Sequence, residues 1–187
     1  MVTPVLAACA MYIAPATLDA IITVESNGNP LAIHVNNGNS PIVKDQKEAV
    51  RVTKKLIAQG YSVDIGLMQI NSKNLPRIGM SVEEVFDPCT NIKAGAMILS
   101  ANYSNALKIT SNQQEALKIA LSLYNTGTTY RGFSNGYVGK YYVSVNAKFT
   151  RKIKQKRGNK TSNKSFNNPY TAQTSIPIPS EFLEQKT

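Results

Sequence analysis

The spacing of apolar residues over the first 149 positions indicates a largely helical chain. Over residues 15–25, Leu18, Ile21 and Ile22 recur at intervals of three and four, which is typical of one buried helix face. Pro15 suits the first turn of such a helix. Glu25 continues the same face, so a carboxyl group extends an apolar stripe. That placement is unusual, because ionising a carboxyl group away from water is costly.

Similar patterns predict five further helices and one slender β element. The helices are Gln46–Gln59, a short one opened by the Ser81-Val82-Glu83-Glu84 capping box, Asn91–Leu107, one from Asn112 to Gly127, and one from about Tyr137 to Phe149. Gly95 would allow a close helix contact. Residues 61–71 alternate in polarity and are interrupted by Gly66, so a short strand or an irregular hairpin is expected there. The pattern predicts a mainly α domain over residues 1–149.

After Phe149 the composition changes to Lys, Asn, Ser, Thr and Pro, which predicts a basic, disordered tail over residues 150–187. The formal net charge is +10, and the segment from Lys148 to Lys164 contains basic residues but no acidic one. Within residues 150–187 no aromatic residue precedes Phe166, so the charges of this tail do not alternate with aromatic side chains as in a platform for single-stranded nucleic acid. We therefore expect no specific nucleic-acid site.

The N-terminal region does not predict a membrane span. The apolar run Val5–Ala14 is about half of the roughly 20 residues that a bilayer requires. An export signal needs a positively charged start, whereas the first Lys or Arg here is Lys44. The sequence therefore looks like a mature form, or one whose export signal is missing.

The cysteine and histidine content limits the chemistry further. Cys9 and Cys89 allow one bridge and no multi-cysteine metal site. We favour a disulfide that ties the N-terminal segment to a central helix in an oxidising compartment, with two buried free thiols as the alternative. His34 is the only histidine, and no carboxylates or thiols cluster near it, so an ordinary loop or packed residue is expected. Neither a metal nor a cofactor is predicted.

Three motifs occur in series along the chain. They are Glu25-Ser26-Asn27-Gly28-Asn29-Pro30, Gly66-Leu67-Met68-Gln69-Ile70-Asn71 and Ala120-Leu121-Ser122-Leu123-Tyr124-Asn125-Thr126-Gly127. Together they resemble the lysozyme-like lytic transglycosylases of glycoside hydrolase family 23. The span from about Cys9 to Val145 looks closest to the enzymes of conjugation and type IV secretion systems. The resemblance implies an α+β lysozyme-like fold, in which a small β element lines a substrate cleft.

The resemblance also implies roles for individual residues. Glu25 matches the single catalytic acid and base, and Ser26 matches the hydroxyl that supports it. The cleft-lining segment is matched by Gly66, Leu67, Met68 and Gln69. Tyr124 and Asn125 match a Tyr-Asn pair, in which the tyrosine lies near the acid and the asparagine positions substrate. Tyr137 resembles a further aromatic residue near the acid, with Tyr141 as a weaker candidate.

The reaction that the resemblance implies needs one carboxyl group and no metal. The glutamate protonates the leaving oxygen, then takes a proton from the C6 hydroxyl of the same N-acetylmuramic acid, whose attack forms a 1,6-anhydro ring. Apolar surroundings that raise the pKa of such a carboxyl group would favour the first step. Asp64 stands where many relatives carry a small residue, and it could be the second carboxylate of a hydrolytic enzyme.

Several alternatives remain open at this point. The reaction could be plain hydrolysis, as in goose-type lysozymes, or the chain could be a non-catalytic scaffold that binds peptidoglycan. Met68 and Ile70 could be core residues only, Tyr124 could serve packing only, and Asn125 could merely cap its helix. The long segment Asn36–Tyr61 resembles the secretion-system subgroup. The expected partners are therefore peptidoglycan strands and secretion-system components, in the periplasm or elsewhere in the cell envelope, where the enzyme would open the wall locally for the apparatus.

Overall fold

The structure is a computed structural model, and it describes Leu6 and residues 8–146. The predicted tail at 150–187 and the last three residues of the predicted final helix lie outside the described residues. The chain divides into two units, Met1–Ile98 and Leu99–Thr187. Helices predominate in the described part of the chain, and a three-stranded sheet lies in the first unit, which confirms the mainly α fold.

The first unit contains the sheet and five of the helices, the last of which continues into the second unit. After a 3-10 turn at Ala8–Ala10, its elements are α1 (Pro15–Ser26), β1 (Ile33–Val35), α2 (Gln46–Ala58), β2 (Val63–Ile65), β3 (Ile70–Asn71), a 3-10 turn at Ser72–Asn74, α3 (Leu75–Ile78), α4 (Val82–Val85) and α5 (Pro88–Leu107). The second unit continues with α6 (Gln113–Thr126), α7 (Arg131–Ser134) and α8, which covers 137–146 among the described residues. None of the described helices is long and apolar enough to cross a membrane.

Helix α1 forms where the apolar spacing predicts it. Leu18 and Ile21 are fully buried and Ile22 is nearly so, which confirms the predicted face. Pro15 occupies the first turn, where its missing N–H costs nothing. The helix ends because Asn27 adopts a left-handed conformation and donates its backbone N–H to carbonyls of the last turn.

The sheet is antiparallel, with the strand order β1-β2-β3. Ile65 pairs with Ile33 on one side and with Ile70 on the other. The predicted irregular hairpin is therefore the β2–β3 pair, and the motif Gly66–Gln69 is the turn between its strands. Strand β1 was missed by the sequence analysis, because three residues are too few for an alternating pattern to be recognised.

Helix α5 begins at Pro88, three residues before the predicted start at Asn91. Pro88 ends the preceding segment and occupies the first position of the new helix. The side chain of Asp87 caps this helix, because it accepts a hydrogen bond from the backbone N–H of Thr90 (2.8 Å). Hydrogen bonds from the backbone and hydroxyl of Thr90 lower the pKa of Asp87. The resulting negative charge at the helix N-terminus is favourable.

Cys9 and Cys89 form a disulfide, the state favoured by the sequence analysis, and their Cα atoms are 5.4 Å apart. The bond connects the 3-10 turn before α1 to the first turn of α5. Both elements belong to the first unit, so the bond closes a covalent loop around α1, the sheet and the start of α5.

We predict that opening this disulfide destabilises the protein by about 4 kcal/mol, because a cross-link over a sequence separation of 80 residues restricts the unfolded chain strongly. Urea unfolding with and without a reducing agent measures the difference. A Cys9→Ser/Cys89→Ser double variant is the control, and its urea midpoint should not respond to the reducing agent. An unchanged midpoint for the wild type would contradict the prediction.

Candidate active site

Glu25 is half-buried in the last turn of α1, one residue before the helix ends. A glutamate at the solvent-exposed end of a helix would be more exposed than this. Its position on the helix continues the face formed by Leu18, Ile21 and Ile22. A carboxyl group thus lies at the edge of the buried part of the first unit.

Ser26 connects the end of α1 to the turn between β2 and β3. Its hydroxyl donates a hydrogen bond to the carbonyl oxygen of Leu67 (2.9 Å), and it also lies 3.1 Å from the carbonyl oxygen of Ile22 in its own helix. The hydroxyl oxygen of Ser26 also accepts a hydrogen bond from the backbone N–H of Gly28 (3.2 Å). The first two sequence motifs are therefore joined directly, and the residue that joins them is the neighbour of Glu25.

The turn Gly66–Gln69 is packed from the inside by its own side chains. Leu67 and Met68 are buried, at 3% and 0% exposure, and Ile70 is buried after them. In this structure these side chains act as core residues, as the alternative interpretation of Met68 and Ile70 held. Gln69 has a positive φ of 49°, and its side-chain amide donates to the carbonyl oxygen of Gly66 (2.8 Å). The glutamine amide therefore helps to close its own turn.

Helix α5 supports this turn from behind through two residues one helical turn apart. The carboxamide of Asn91 lies so close to Gly66 that a Cβ there would be 2.3 Å from its nitrogen. A Cβ on Gly95 would be 2.6 Å from the Cβ of Met68. The close approach predicted at Gly95 is therefore present, and the atoms nearest to the missing Cβ belong to Met68 in the turn.

Asp64 lies on the opposite face of β2 from the buried residues Val63 and Ile65. Its two carboxylate oxygens accept hydrogen bonds from the side-chain amides of Asn36 (2.9 Å) and Asn71 (2.6 Å). These bonds link β2 to β3 and to the residue that follows β1, so Asp64 has a structural role in the sheet. His34 lies on β1 and is paired with Asp64 across the two strands. Its side chain is exposed, and its ring nitrogen Nδ1 lies 3.3 Å from the hydroxyl of Ser40. The histidine is therefore neither in a loop nor packed in the core.

The second unit contains the third motif at the end of α6. Tyr124 is half-buried and Asn125 is exposed, and Gly127 ends the helix in a left-handed conformation, as predicted. The side-chain oxygen of Asn125 accepts a hydrogen bond from the amide of Asn135 (2.9 Å), and the oxygen of Asn135 accepts one from the backbone N–H of Tyr137 (2.9 Å). Asn135 thus connects the predicted residues Asn125 and Tyr137.

A buried serine fixes the segment that follows this motif. Ser122 donates a hydrogen bond to the carbonyl oxygen of Thr128 (2.7 Å) and accepts one from the backbone N–H of Gly132 (2.9 Å). A Cβ on Gly132 would lie 2.6 Å from the Cα of Ser122, so α7 approaches α6 as closely as glycine permits. Tyr137 and Tyr141 on α8 are both buried.

Within the first unit, the structure brings together Ser26 and the turn Gly66–Gln69 beside the helix end that carries Glu25. Within the second unit, it brings together Asn125 and Tyr137. Sequence reasoning missed Asn91, whose side chain bonds to backbone up to 26 residues away, and Asn135, whose side chain bonds to that of Asn125 ten residues away, because such partners give no local pattern. Among the described residues, no group of three or more His, Cys, Asp or Glu side chains is arranged to hold a metal ion.

Comparison with protein families identifies the type of domain. The family described as the transglycosylase SLT domain matches residues 5–168. The chain belongs to this family. The match continues past residue 149, at which the sequence analysis placed the domain boundary. The SLT domain thus contains all three motifs together with Asn91 and Asn135.

Curated relatives of this SLT domain carry the name virB1. Protein virB1 of Agrobacterium fabrum is 39% identical over 133 residues, which cover 71% of this chain and 54% of the relative. The type IV secretion system protein virB1 of Brucella abortus is 38% identical over 146 residues, which cover 73% and 60%. The chain therefore spans between about half and three fifths of the length of these relatives. No solved structure shows significant similarity to the chain.

We predict that Gly66→Ala destabilises the SLT domain by about 2 to 4 kcal/mol, because an L-residue is strained at φ +76° and the new methyl group would collide with Asn91. Gly79→Ala is the matched control, since Gly79 also has a positive φ (64°) but nothing lies near its missing Cβ. It should cost about 1 kcal/mol. Chemical denaturation of the two variants measures the difference, and equal losses would show that the collision is unimportant.

Proposed function

We propose that this SLT domain is a lytic transglycosylase, which cleaves the β-1,4 bond between N-acetylmuramic acid and N-acetylglucosamine in peptidoglycan and leaves a 1,6-anhydro ring. The observation that supports the proposal most is the burial and position of Glu25. It is half-buried at the end of α1, and its neighbour Ser26 is hydrogen-bonded to the Gly66–Gln69 turn. Membership of the transglycosylase SLT domain family supports the same reaction.

In the proposed reaction, Glu25 acts first as an acid and then as a base. Its protonated carboxyl group gives a proton to the glycosidic oxygen, and the bond from that oxygen to C1 of the muramic acid breaks. The C6 hydroxyl oxygen of the same sugar then bonds to C1, and its proton passes to the carboxylate of Glu25. The enzyme returns to its starting protonation state, and no water is consumed. Because the nucleophile belongs to the substrate, its effective concentration at C1 is high.

The remaining motif residues are proposed to bind or orient the glycan. Backbone groups of the Gly66–Gln69 turn are the part of this motif best suited to meet a sugar, since Leu67 and Met68 have buried side chains. Tyr124, Asn125 and Tyr137 belong to the second unit, where Asn135 links Asn125 to Tyr137. We propose that they position the substrate.

Plain hydrolysis is the main alternative reaction, and Asp64 would be its second carboxylate. The structure gives little support to that role, because amide groups of Asn36 and Asn71 already bind both oxygens of Asp64. A nucleophilic carboxylate must instead be free to approach C1. The anhydro-forming reaction requires only Glu25.

The proposed biological setting is supported by the names of the relatives. The Brucella abortus relative is named as a type IV secretion system protein, and the Agrobacterium fabrum relative shares the name virB1. We propose that this chain acts in the cell envelope or periplasm, where it opens peptidoglycan locally so that such an apparatus can be assembled. Components of the apparatus are the proposed protein partners.

We predict that Glu25→Gln lowers the rate of glycan cleavage by at least about 100-fold, because the amide can neither donate nor accept the proton. Thermal unfolding should show equal or slightly higher stability, since a half-buried ionisable group is replaced by a neutral amide of the same shape. Glu115→Gln is the matched control, because Glu115 is also partly buried but pairs with Lys118 on the surface of α6, and this variant should retain full activity. Near-normal turnover by Glu25→Gln would contradict the assignment, and a scaffold function would predict no cleavage by the wild type.

Product masses should separate the two reactions. Mass spectrometry of digested peptidoglycan should show muropeptides that are about 18 mass units lighter than hydrolysed ones, because the ring closes without water. Asp64→Asn should give the same light products. Products of hydrolysed mass, together with loss of cleavage in Asp64→Asn, would instead support a two-carboxylate hydrolase.

Removal of residues 150–187 should leave cleavage of purified peptidoglycan within about twofold of the wild type, because all proposed site residues precede this basic segment. Release of soluble muropeptides measures the rate for both forms. Loss of cleavage on truncation would show that the predicted tail contributes to the enzyme. It would also move the domain boundary towards residue 168, where the family match ends.

A further inference from the structure

Asn91 is a buried amide with no role in the motifs. It lies in the first turns of α5 and is 1% exposed. A buried carboxamide is stable only if its donors and acceptor are all engaged, because each unpaired polar group is costly. The partners of Asn91 therefore indicate what the residue is there to hold.

Every hydrogen bond that the structure gives to the Asn91 side chain goes to backbone. Its oxygen accepts from the N–H of Met68 (2.7 Å), and its nitrogen donates to the carbonyl oxygens of Ile65 (2.9 Å) and Val85 (2.8 Å). One acceptor and two donors are used, a set that asparagine supplies but that no apolar residue of similar size could replace. Asn91 thus joins the end of β2, the following turn and the end of α4.

The peptide group between Leu67 and Met68 is hydrogen-bonded at both its N–H and its carbonyl oxygen. The carbonyl of Leu67 and the N–H of Met68 belong to one planar unit. Its oxygen accepts from Ser26, and its N–H donates to Asn91. A single peptide group therefore bridges the end of α1 and the start of α5.

We propose that Asn91 is a positioning residue for Glu25. Its carboxamide fixes the Leu67–Met68 peptide group, which in turn receives Ser26 and so sets where the end of α1 lies. This inference rests on the proposed catalytic role of Glu25. Asn91 itself does not touch substrate. The disulfide at Cys89 anchors the same first turn of α5, and Gly66 leaves the space that the Asn91 amide occupies.

Two variants separate positioning from stability. Asn91→Ala removes the acceptor for Met68, whereas Asn91→Asp keeps an acceptor there but turns an oxygen towards the carbonyls of Ile65 and Val85. Burying that carboxylate should make Asn91→Asp as unstable as Asn91→Ala or more so. Turnover should nevertheless be higher in Asn91→Asp than in Asn91→Ala, because the aspartate oxygen still accepts a hydrogen bond from the N–H of Met68 and so holds the Leu67–Met68 peptide group.

With a soluble glycan fragment of peptidoglycan as substrate, we expect kcat of Asn91→Ala to fall at least about tenfold while KM stays within about threefold, as for a misplaced catalytic group. Asn91→Asp should retain more than half of the wild-type kcat. Ile92→Val, at the neighbouring buried position, is the control for lost stability and should leave kcat unchanged. Turnover that merely follows the stability of the three variants would overturn the proposal.

Amide hydrogen exchange gives a readout that needs no activity. In Asn91→Ala, protection of the Met68 N–H should fall at least about tenfold relative to the Val63 N–H, which is bound by Ser72 instead. If that variant does not fold, a scalar coupling across the hydrogen bond from Met68 to the Asn91 side chain tests the link in the wild-type protein. An equal fall at both amides, or no coupling, would overturn the inference.

The experiments also distinguish this inference from the proposed function. A wild-type protein that cleaves no glycan would refute the proposed function, and with it the role of Asn91 as a positioning residue for Glu25. Exchange at Met68 would then still decide whether Asn91 holds the peptide group. An active wild type with unchanged kcat in a folded Asn91→Ala variant would refute only the inference.

Discussion

The first unit depends on how one peptide group is held. The peptide between Leu67 and Met68 accepts a hydrogen bond from Ser26 at the end of α1 and donates one to Asn91 at the start of α5. Because a peptide group is rigid and planar, the two helices cannot shift independently at this point without losing a buried bond. These two bonds therefore fix the position of Glu25, which precedes Ser26. They also fix the Gly66–Gln69 turn, which we propose contacts the glycan.

Small residues make this arrangement possible. Gly66 leaves room for the Asn91 amide, and Gly95 lets the backbone of α5 approach Met68. In the second unit, Gly132 has the same function beside Ser122. Side chains that are often attributed to a binding surface, such as Leu67 and Met68, are instead buried and support the turn from within. Glycine and buried apolar residues thus shape the site, while few side chains carry its chemistry.

The parts of the structure that could be predicted from the sequence are those specified by neighbouring residues. The buried face of α1 and the ends of α6 follow from spacing and from capping residues such as Asn112 and Gly127. Strand β1 is stable only because β2 pairs with it, so its three residues give no signal of their own. The partners of Asn91 are 6 to 26 residues away in the chain, which places them beyond any local pattern. Resemblance to a family indicated the site residues, and the structure shows what holds those of the first unit.

In the proposed reaction Glu25, held beside the Gly66–Gln69 turn, exchanges protons with the glycan. A crystal structure of the Glu25→Gln protein with a bound glycan fragment would show whether residue 25 is placed to do so. We expect its side chain to lie within about 3.2 Å of the glycosidic oxygen, with the bond from Ser26 to Leu67 intact. A glycan bound elsewhere, or residue 25 directed into solvent away from the sugar, would contradict it.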